Sequence, residues 1–325
     1  NVGRVYRERV FNLPVDGSRQ TRGAPVQGII NINRDERVTA IVAIREPNAD
    51  RYIVMATRRG EVKRMHLSQF ANIRANGLAA MDLEKGDALL TARLADPDMS
   101  VIMVSRGGKG AQFSLDSVRV RQTRSAGGVR GMKLVGDDEV IGMDVAHPED
   151  QLLLLSEKGY GKRTGVALFR TTERGAQGVI ALNINEKTGP MAAAVVISQG
   201  VEEVMVGSAK AMVYRTRIKE IRSLGRATQG VKVMTKLHDD DQVISISAFK
   251  TGEFEDDDTE LPVLDAPKVE RRKNGHHKPK RSPARAEQPA SKDEPDPLDE
   301  PEPPPASGGQ PQFALDMDAD ADEDD

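Results

Sequence analysis

The sequence predicts an all-β protein: a disc of short four-stranded blades built from repeats of about 50 residues, followed by a disordered acidic tail. Three observations carry that expectation. A glycine-led strand recurs at a steady period, a strand–turn–strand unit recurs in front of it, and the composition changes abruptly after Phe249.

The glycine-led segment is the clearest periodic signal. Its copies are Gly28-Ile29-Ile30-Asn31-Ile32, Gly77-Leu78-Ala79-Ala80-Met81, Gly128-Val129-Arg130-Gly131-Met132, Gly178-Val179-Ile180-Ala181-Leu182 and Gly230-Val231-Lys232-Val233-Met234. Successive glycines stand 49, 51, 50 and 52 residues apart. Such a period is the signature of propeller-like and other repeat architectures.

Before each glycine lies an apolar strand, a polar turn and a second strand with cations. Ile53-Val54-Met55-Ala56-Thr57 with Gly60 to Arg64, and Leu152-Leu153-Leu154-Leu155 with Gly159 to Arg163, show it best. Residues 101–113 and 204–215 follow the same plan, and Gly3-Arg4-Val5-Tyr6 reads as the back half of one more copy. Short apolar runs bounded by glycine turns are hairpin signals. Each unit closes with an acidic turn and a further apolar strand, as at Arg34 to Arg37 before Val38, Asp87 before Leu89, Asp137-Asp138-Glu139 before Val140 and Asp239-Asp240-Asp241 before Val243. Four short strands cannot bury their own faces, so neighbouring units must pack together, and radial blades satisfy that need. Helical periodicity is nearly absent, apart from possible turns at 67–70 and 219–221.

Charge divides the chain in two. Residues 1–250 carry 38 Lys and Arg against 28 Asp and Glu, a net of +10; residues 251–325 carry 9 against 22, a net of −13. A basic body suggests a polyanionic partner. Residues 1–249 are expected to form the β domain. Residues 250–325, Pro-rich and acidic with a basic island at 268–285, lack the apolar surface to offset the entropy of ordering and are expected to be disordered. Phe313-Ala314-Leu315 is an apolar spot in this tail and a possible docking motif. There is no cysteine, hence no disulfide framework. No apolar run approaches the roughly 18 residues of a membrane span. The chain opens at Asn1 inside a repeat and reads as a piece of a longer protein.

Catalytic constellations are missing from the sequence. Gly107-Gly108-Lys109-Gly110 fails as a P-loop, because Met103 stands where the first glycine belongs and Gly110 where Ser or Thr belongs. Gly159-Tyr160-Gly161 fails as a dinucleotide loop, because Thr164 occupies the third glycine position. Both read as hairpin turns. His66, His147, His238, His276 and His277 lack zinc spacing. Tyr6, Tyr52, Tyr160 and Tyr214 fall on or beside repeat strands, as packing residues would.

The remaining pattern is cationic. One set follows the hairpin turn: Lys63 and Arg64, Lys162 and Arg163, Arg215 and Arg217. A second precedes the glycine strand: Arg19 and Arg22, Arg74, Arg121 and Arg124, Arg174, Arg226. A third lies on that strand: Arg130, Lys133 and Lys232. Cations repeated once per blade project to one height and form a basic stripe that suits a phosphate backbone. With aromatics at 3% and no recognition helix, stacking on single strands and direct base reading are poorly supported, which leaves backbone contact and bending of duplex DNA. The rival from another class is a propeller-type protein-interaction scaffold whose basic edge is incidental.

Three segments bear a family resemblance. Gly127-Gly128-Val129-Arg130-Gly131-Met132-Lys133-Leu134, Lys158-Gly159-Tyr160-Gly161-Lys162-Arg163-Thr164 and Gly225-Arg226-Ala227-Thr228-Gln229-Gly230-Val231 resemble the C-terminal, DNA-wrapping domain of the bacterial DNA gyrase A protein, a type IIA topoisomerase component. The stretch from Arg22 to Arg37 is similar too, and the resemblance covers residues 1 to about 249. It implies a β-pinwheel whose blades exchange strands and around which duplex DNA wraps with one hand. It also implies membership of an A2B2 heterotetramer of the gyrase A and gyrase B proteins, a cytoplasmic, nucleoid-associated enzyme that supercoils DNA negatively. ATP, Mg2+ and the catalytic tyrosine act elsewhere in that assembly, so this chain itself needs no cofactor, metal or membrane. The family's box, Gln-Arg-Arg-Gly-Gly-Lys-Gly, is imitated by Ser105 to Gly110, but that stretch aligns with a hairpin turn, not with the loop that bears the box. The expected set is six repeats, of which the chain would hold about five, lacking the first. Without the box, the related component of topoisomerase IV, which serves decatenation and relaxation, stays open.

Overall fold

Each repeat makes one long hairpin, one two-residue strand and one closing strand, and the two-residue strand leaves home. A computed structural model describes residues 1–14, 23–46 and 49–250 of the chain. In it, β1 (Arg4–Val5) belongs to a partial repeat. Repeat one follows with β2 (Tyr52–Thr57), β3 (Glu61–His66), β4 (Leu78–Ala79) and β5 (Leu89–Ala95). Repeat two has β6 (Ser100–Ser105), β7 (Lys109–Ser114), β8 (Val129–Arg130) and β9 (Val140–Ala146). Repeat three has β10 (Gln151–Ser156), β11 (Tyr160–Gly165), β12 (Val179–Ile180) and β13 (Met191–Ile197). Repeat four has β14 (Val201–Ser208), β15 (Val213–Arg217), β16 (Val231–Lys232) and β17 (Val243–Lys250). The chain divides into the units Asn1–Thr259 and Glu260–Asp325, and the tail expectations for residues 251–325 lie outside the described residues.

The sheets run β5-β2-β3-β8, β9-β6-β7-β12, β13-β10-β11-β16 and β17-β14-β15, with β1 paired to β4. Every short glycine-led strand therefore pairs with the hairpin of the repeat before it: Glu61 faces Arg130, Gly110 faces Val179, and Gly161 faces Val231. The glycines make the crossing possible. Gly178 and Gly230 have φ of +80° and +78°, and a Cβ there would lie 2.5 Å from the carbonyl oxygen of Gly110 or Gly161. No larger residue combines that conformation with that approach.

The turn glycine of each accepting hairpin completes the clasp. The Gly60 carbonyl accepts from the amides of Gly131 and Met132 at 2.8 and 3.1 Å. Gly3, Gly108 and Gly159 do the same for Ala80 and Met81, Ala181 and Leu182, and Val233 and Met234. Gly108 thus belongs to a hairpin turn, as the failed P-loop pattern implied.

Packing between blades explains the unbroken apolar runs. Leu152 and Leu154 face a core shared with Ile102 and Val104 of the second blade. Leu153 packs with Val204 of the fourth blade, and Leu155 with Val206. A strand covered on both faces has no polar side, so its sequence shows no alternation. The closing strands lie next to one another in the order β5, β9, β13, β17. Asp144 on β9 ties three of them: its carboxylate accepts from Arg93 Nε on β5 and from the Val196 amide on β13, both at 3.0 Å. The four blades are arranged as a propeller, and helix is minimal.

The acidic turns are caps. Asp87 Oδ1 accepts from the amides of Arg59 and Ala88, Asp138 Oδ1 from Gly107 and Glu139, and Asp241 Oδ1 from Lys210 and Gln242. Each carboxylate holds a hairpin turn against the closing strand of its own repeat.

One expectation fails. Gly28 to Ile32 is not a strand: Val26–Ile29 forms a single helical turn, and no strand occurs among described residues 23–46. The physical reason lies in the exchange. Such a strand needs the hairpin of a preceding repeat, and no described strand stands in that place. Val38 and Ile44 are correspondingly exposed, and Ile41 is 89% exposed.

Candidate nucleic-acid interface

The loop leading into each glycine strand presents an arginine three or four residues before the glycine. Arg74, Arg124 and Arg174 are exposed, while Arg121 and Arg226 are half-buried. Three of them reach back across the rim, Arg124 to the Gln69 carbonyl at 3.4 Å. Arg226 Nη1 donates to the Ile180 carbonyl at 2.5 Å, and Arg174 donates to the carbonyls of Ser117 (3.1 Å) and Arg130 (3.4 Å). Ile180 and Arg130 are equivalent residues of neighbouring exchanged strands, so the same link is made twice. A guanidinium has five donors in a plane, so these bonds orient the group and leave other donors for an anion.

The exchanged strands bear the second layer. Each buries its first residue partly and exposes its second, giving Ala79, Arg130, Ile180 and Lys232 in chain order. Lys232 donates to the Lys158 carbonyl at 2.9 Å and lies 5.3 Å from the Tyr160 ring centre. Lys133 is exposed beside β8.

The hairpin cations do not all join this stripe. Lys63 is 1% exposed and Lys162 is fully buried. Lys63 Nζ donates to the carbonyls of Ala80 (2.7 Å), Arg124 (2.6 Å) and Ala126 (2.7 Å). Lys162 Nζ donates to those of Gly225 (2.8 Å), Arg226 (2.5 Å) and Thr228 (3.0 Å). Burial, aided by the charge of Arg121 or Arg226 respectively, lowers both ammonium groups to about 8. Arg64 is 5% exposed, lies 3.8 Å above the Tyr52 ring and donates to the Leu115 carbonyl and the Asp116 carboxylate. Arg163 is half-buried and donates to the Ile221 carbonyl and Gln151 Oε1. Arg215 pairs with Glu203, and Arg217 is exposed on β15. The expectation that the paired hairpin cations face outward is therefore corrected for Lys63, Arg64 and Lys162. Their partners are backbone carbonyls and one carboxylate about 17 to 66 residues away, which no local pattern reveals. Arg19 and Arg22 lie outside the described residues.

Two further arginines gather with Arg74 and Arg124. A trough of about 960 Å³ is lined by Arg4, Arg7, Arg74 and Arg124 with the amides Gln69 and Gln122, and no carboxylate lines it. Gln69 and Gln122 are bonded to each other at 3.0 Å, and Arg4 Nη2 donates to the Asn76 carbonyl at 2.5 Å. Arg4 was legible only as part of the back half of a further copy, and Arg7 fell outside every sequence pattern. A second cleft, about 520 Å³, mixes Arg59, Arg130 and Arg174 with Glu61 and Glu84, where burial and the neighbouring Glu84 raise the Glu61 carboxyl.

His66 invites a hydrolytic reading, since Nδ1 is 2.7 Å from Ser68 Oγ and Nε2 is 3.0 Å from Asp50 Oδ1. The same Nδ1 accepts the Ser68 amide at 3.2 Å, which makes the group the cap of the 3₁₀ turn Leu67–Phe70. Among the described residues no group of His, Cys, Asp and Glu is placed to hold a metal ion, and no helix is long and apolar enough to cross a membrane.

Comparison with known proteins agrees with this architecture. The family model "DNA gyrase C-terminal domain, beta-propeller" matches residues 51–96, 100–147, 150–198 and 202–250, one match per blade. The DNA gyrase A protein of Dehalogenimonas lykanthroporepellens is 35% identical over 77% of this chain and 31% of its own length. That of Salmonella typhimurium is 35% identical over 81% of this chain and 29% of its own. The chain thus spans about a third of these relatives. A solved DNA gyrase A C-terminal domain superposes with a TM-score of 0.66 at 25% identity, covering 77% of this chain and 80% of that one. A C-terminal domain of DNA topoisomerase IV shares the fold, with a TM-score of 0.62 at 22% identity over 70% and 71% of the two chains. With strand exchange, period and four matched blades in agreement, the chain belongs to the DNA gyrase C-terminal domain, beta-propeller family.

Proposed function

We propose that this chain binds and wraps duplex DNA, without regard to base sequence, as the C-terminal part of a DNA gyrase A protein. The observation that supports this reading best is the recurrence of an arginine at one place in every rim loop: Arg74, Arg124, Arg174 and Arg226. Smooth bending of 20–30 base pairs costs on the order of 1–6 kcal/mol, and repeated phosphate contacts offset it. Links such as Arg226 to Ile180 orient the guanidinium groups before DNA arrives, which reduces the entropy lost on binding. In this reading the rest of the gyrase A protein and its gyrase B partner complete an A2B2 enzyme in the bacterial nucleoid. ATP hydrolysis, Mg2+ and strand cleavage take place there, and the wrapped segment serves negative supercoiling. The curated relatives named above, both DNA gyrase A proteins, favour gyrase over topoisomerase IV.

The test is ligation of nicked circular DNA bound to the chain, followed by separation of topoisomers. A shift in linking number, abolished by the charge reversals Arg121→Glu, Arg124→Glu, Arg130→Glu and Lys133→Glu, is the expected result. Binding without a shift refutes wrapping by this chain. No binding at low salt returns the fold to a protein-interaction scaffold.

A further inference from the structure

We propose that Lys63 and Lys162 are positioning residues for the DNA contact: each buried ammonium group staples the arginine-bearing rim loop of the following repeat into the shape that meets phosphate. The assignment rests on the DNA-binding reading above. Its basis is convergence of backbone. Lys63 on β3 gathers carbonyls of Arg124 and Ala126, which lie in the loop entering β8, together with that of Ala80 just past β4. Lys162 on β11 gathers Gly225, Arg226 and Thr228 from the loop entering β16. In both cases one of the carbonyls belongs to the rim arginine itself, Arg124 or Arg226. Fixing that carbonyl fixes the residue's backbone, and hence the base from which the guanidinium extends.

The fold does not demand lysine here. Three residues after the turn glycine, the equivalent position is Tyr6 after Gly3 and Ala111 after Gly108, and both hairpins accept their exchanged strands normally. Burying an ammonium group is unfavourable unless its hydrogen bonds are fully made, so an alanine or an aromatic ring would serve packing with less penalty. What the lysines add is order in the loop above. They also coincide with the rim chemistry. The strands exchanged onto β3 and β11 expose Arg130 and Lys232, whereas those exchanged onto β1 and β7 expose Ala79 and Ile180. Stapled loops and cationic exchanged strands occur in the same two places.

A double-mutant cycle on the full 325-residue chain tests the assignment. Mixed-sequence duplex DNA is titrated at low and moderate salt with wild type, Lys63→Met, the pair Arg121→Ala/Arg124→Ala, and all three together. Lys63→Met is expected to weaken binding about tenfold and to flatten the salt dependence, as disorder of two cationic side chains would. In the background lacking both arginines, the same substitution should change affinity less than about twofold, because there is nothing left to position. An unchanged affinity, or the same loss in both backgrounds, overturns the proposal. Lys162→Met with Arg226→Ala repeats the cycle independently. Should the methionine variants not fold, Lys63→Gln and Lys162→Gln replace them: amide exchange at 124–128 or 226–230, respectively, must quicken relative to wild type while that at 174–178 stays the same, and unchanged exchange overturns the staple. Failure of the wild type to bind duplex refutes the proposed function instead, while exchange still reports on the loops.

Discussion

Two rim loops are fastened from beneath by a buried lysine and two are held without one. The loops entering β8 and β16 drape over the ammonium groups of Lys63 and Lys162. At the same place the loop entering β12 has Ala111, and the loop entering β4 has Tyr6, whose ring would lie 2.7 Å from a Cβ on Gly77 and whose hydroxyl donates to Glu36 at 2.5 Å. One backbone framework thus tolerates a cation, a methyl group or a phenol at one point. The exchange itself depends on the glycines and the clasp, which are common to all, while the order of the loop depends on what lies below it.

That division can be broken first at the glycines. Gly178→Ala and Gly230→Ala should each destabilise by about 3 kcal/mol or more, since positive φ and a 2.5 Å approach to a carbonyl oxygen are both violated. Thermal melting should show similar losses at the stapled and unstapled sites, and unequal losses would contradict a common exchange mechanism. Gly225→Ala, with nothing within 4 Å of its Cβ, is the neutral control.

Next in size, Lys162→Met should cost about 2–4 kcal/mol, because three carbonyls lose their donor together. Ala111→Gly on the unstapled hairpin should cost only about 1 kcal/mol by loss of a buried methyl and added backbone freedom. Denaturant midpoints measured side by side give the ranking, and a reversed order would show that the staple bears little of the stability.

Alkaline pH sharpens the contrast further. Lys63, facing Arg121 and Asp82, and Lys162, facing Arg226, are held at about 8 in the fold, against the usual 10.5. Between about 8 and 10.5 the unfolded chain therefore binds more protons than the folded one, so global stability should rise with pH across that window. Below 8 both states are charged and the dependence vanishes. The difference between wild type and the double variant Lys63→Met/Lys162→Met isolates this slope, and identical pH profiles would mean that the ammonium groups are not desolvated. The smallest effect belongs to the exposed rim. Arg174→Ala should leave stability within about 0.5 kcal/mol and reduce the salt slope of DNA binding by about one.

The periodic skeleton was readable without coordinates, because glycines at strand crossings and apolar runs buried on both faces leave local marks. Gly77, Gly178 and Gly230 all proved to be crossing points, and Arg4–Val5 proved to accept the strand Leu78–Ala79. The segment at Gly28 carried the same marks and still formed a helical turn, because a strand is made by its partner as much as by its own residues. The loop arginines were visible as a period. Their connections to Arg130 and Ile180 were not, since those carbonyls lie 44 and 46 residues away.

By itself the sequence determined the repeat, the all-β class, the places of the four glycine-led strands that form and the excess of cations in the body. These follow from backbone sterics and from apolar periodicity, which act within a few residues. Only the tertiary structure decided which cations face solvent and which are buried. Lys63 and Lys162 look like any rim lysine in a string of letters. They turn inward because exchange of the next strand brings a loop from the following repeat over the hairpin, and carbonyls that converge from distant residues can hold an ammonium group out of water.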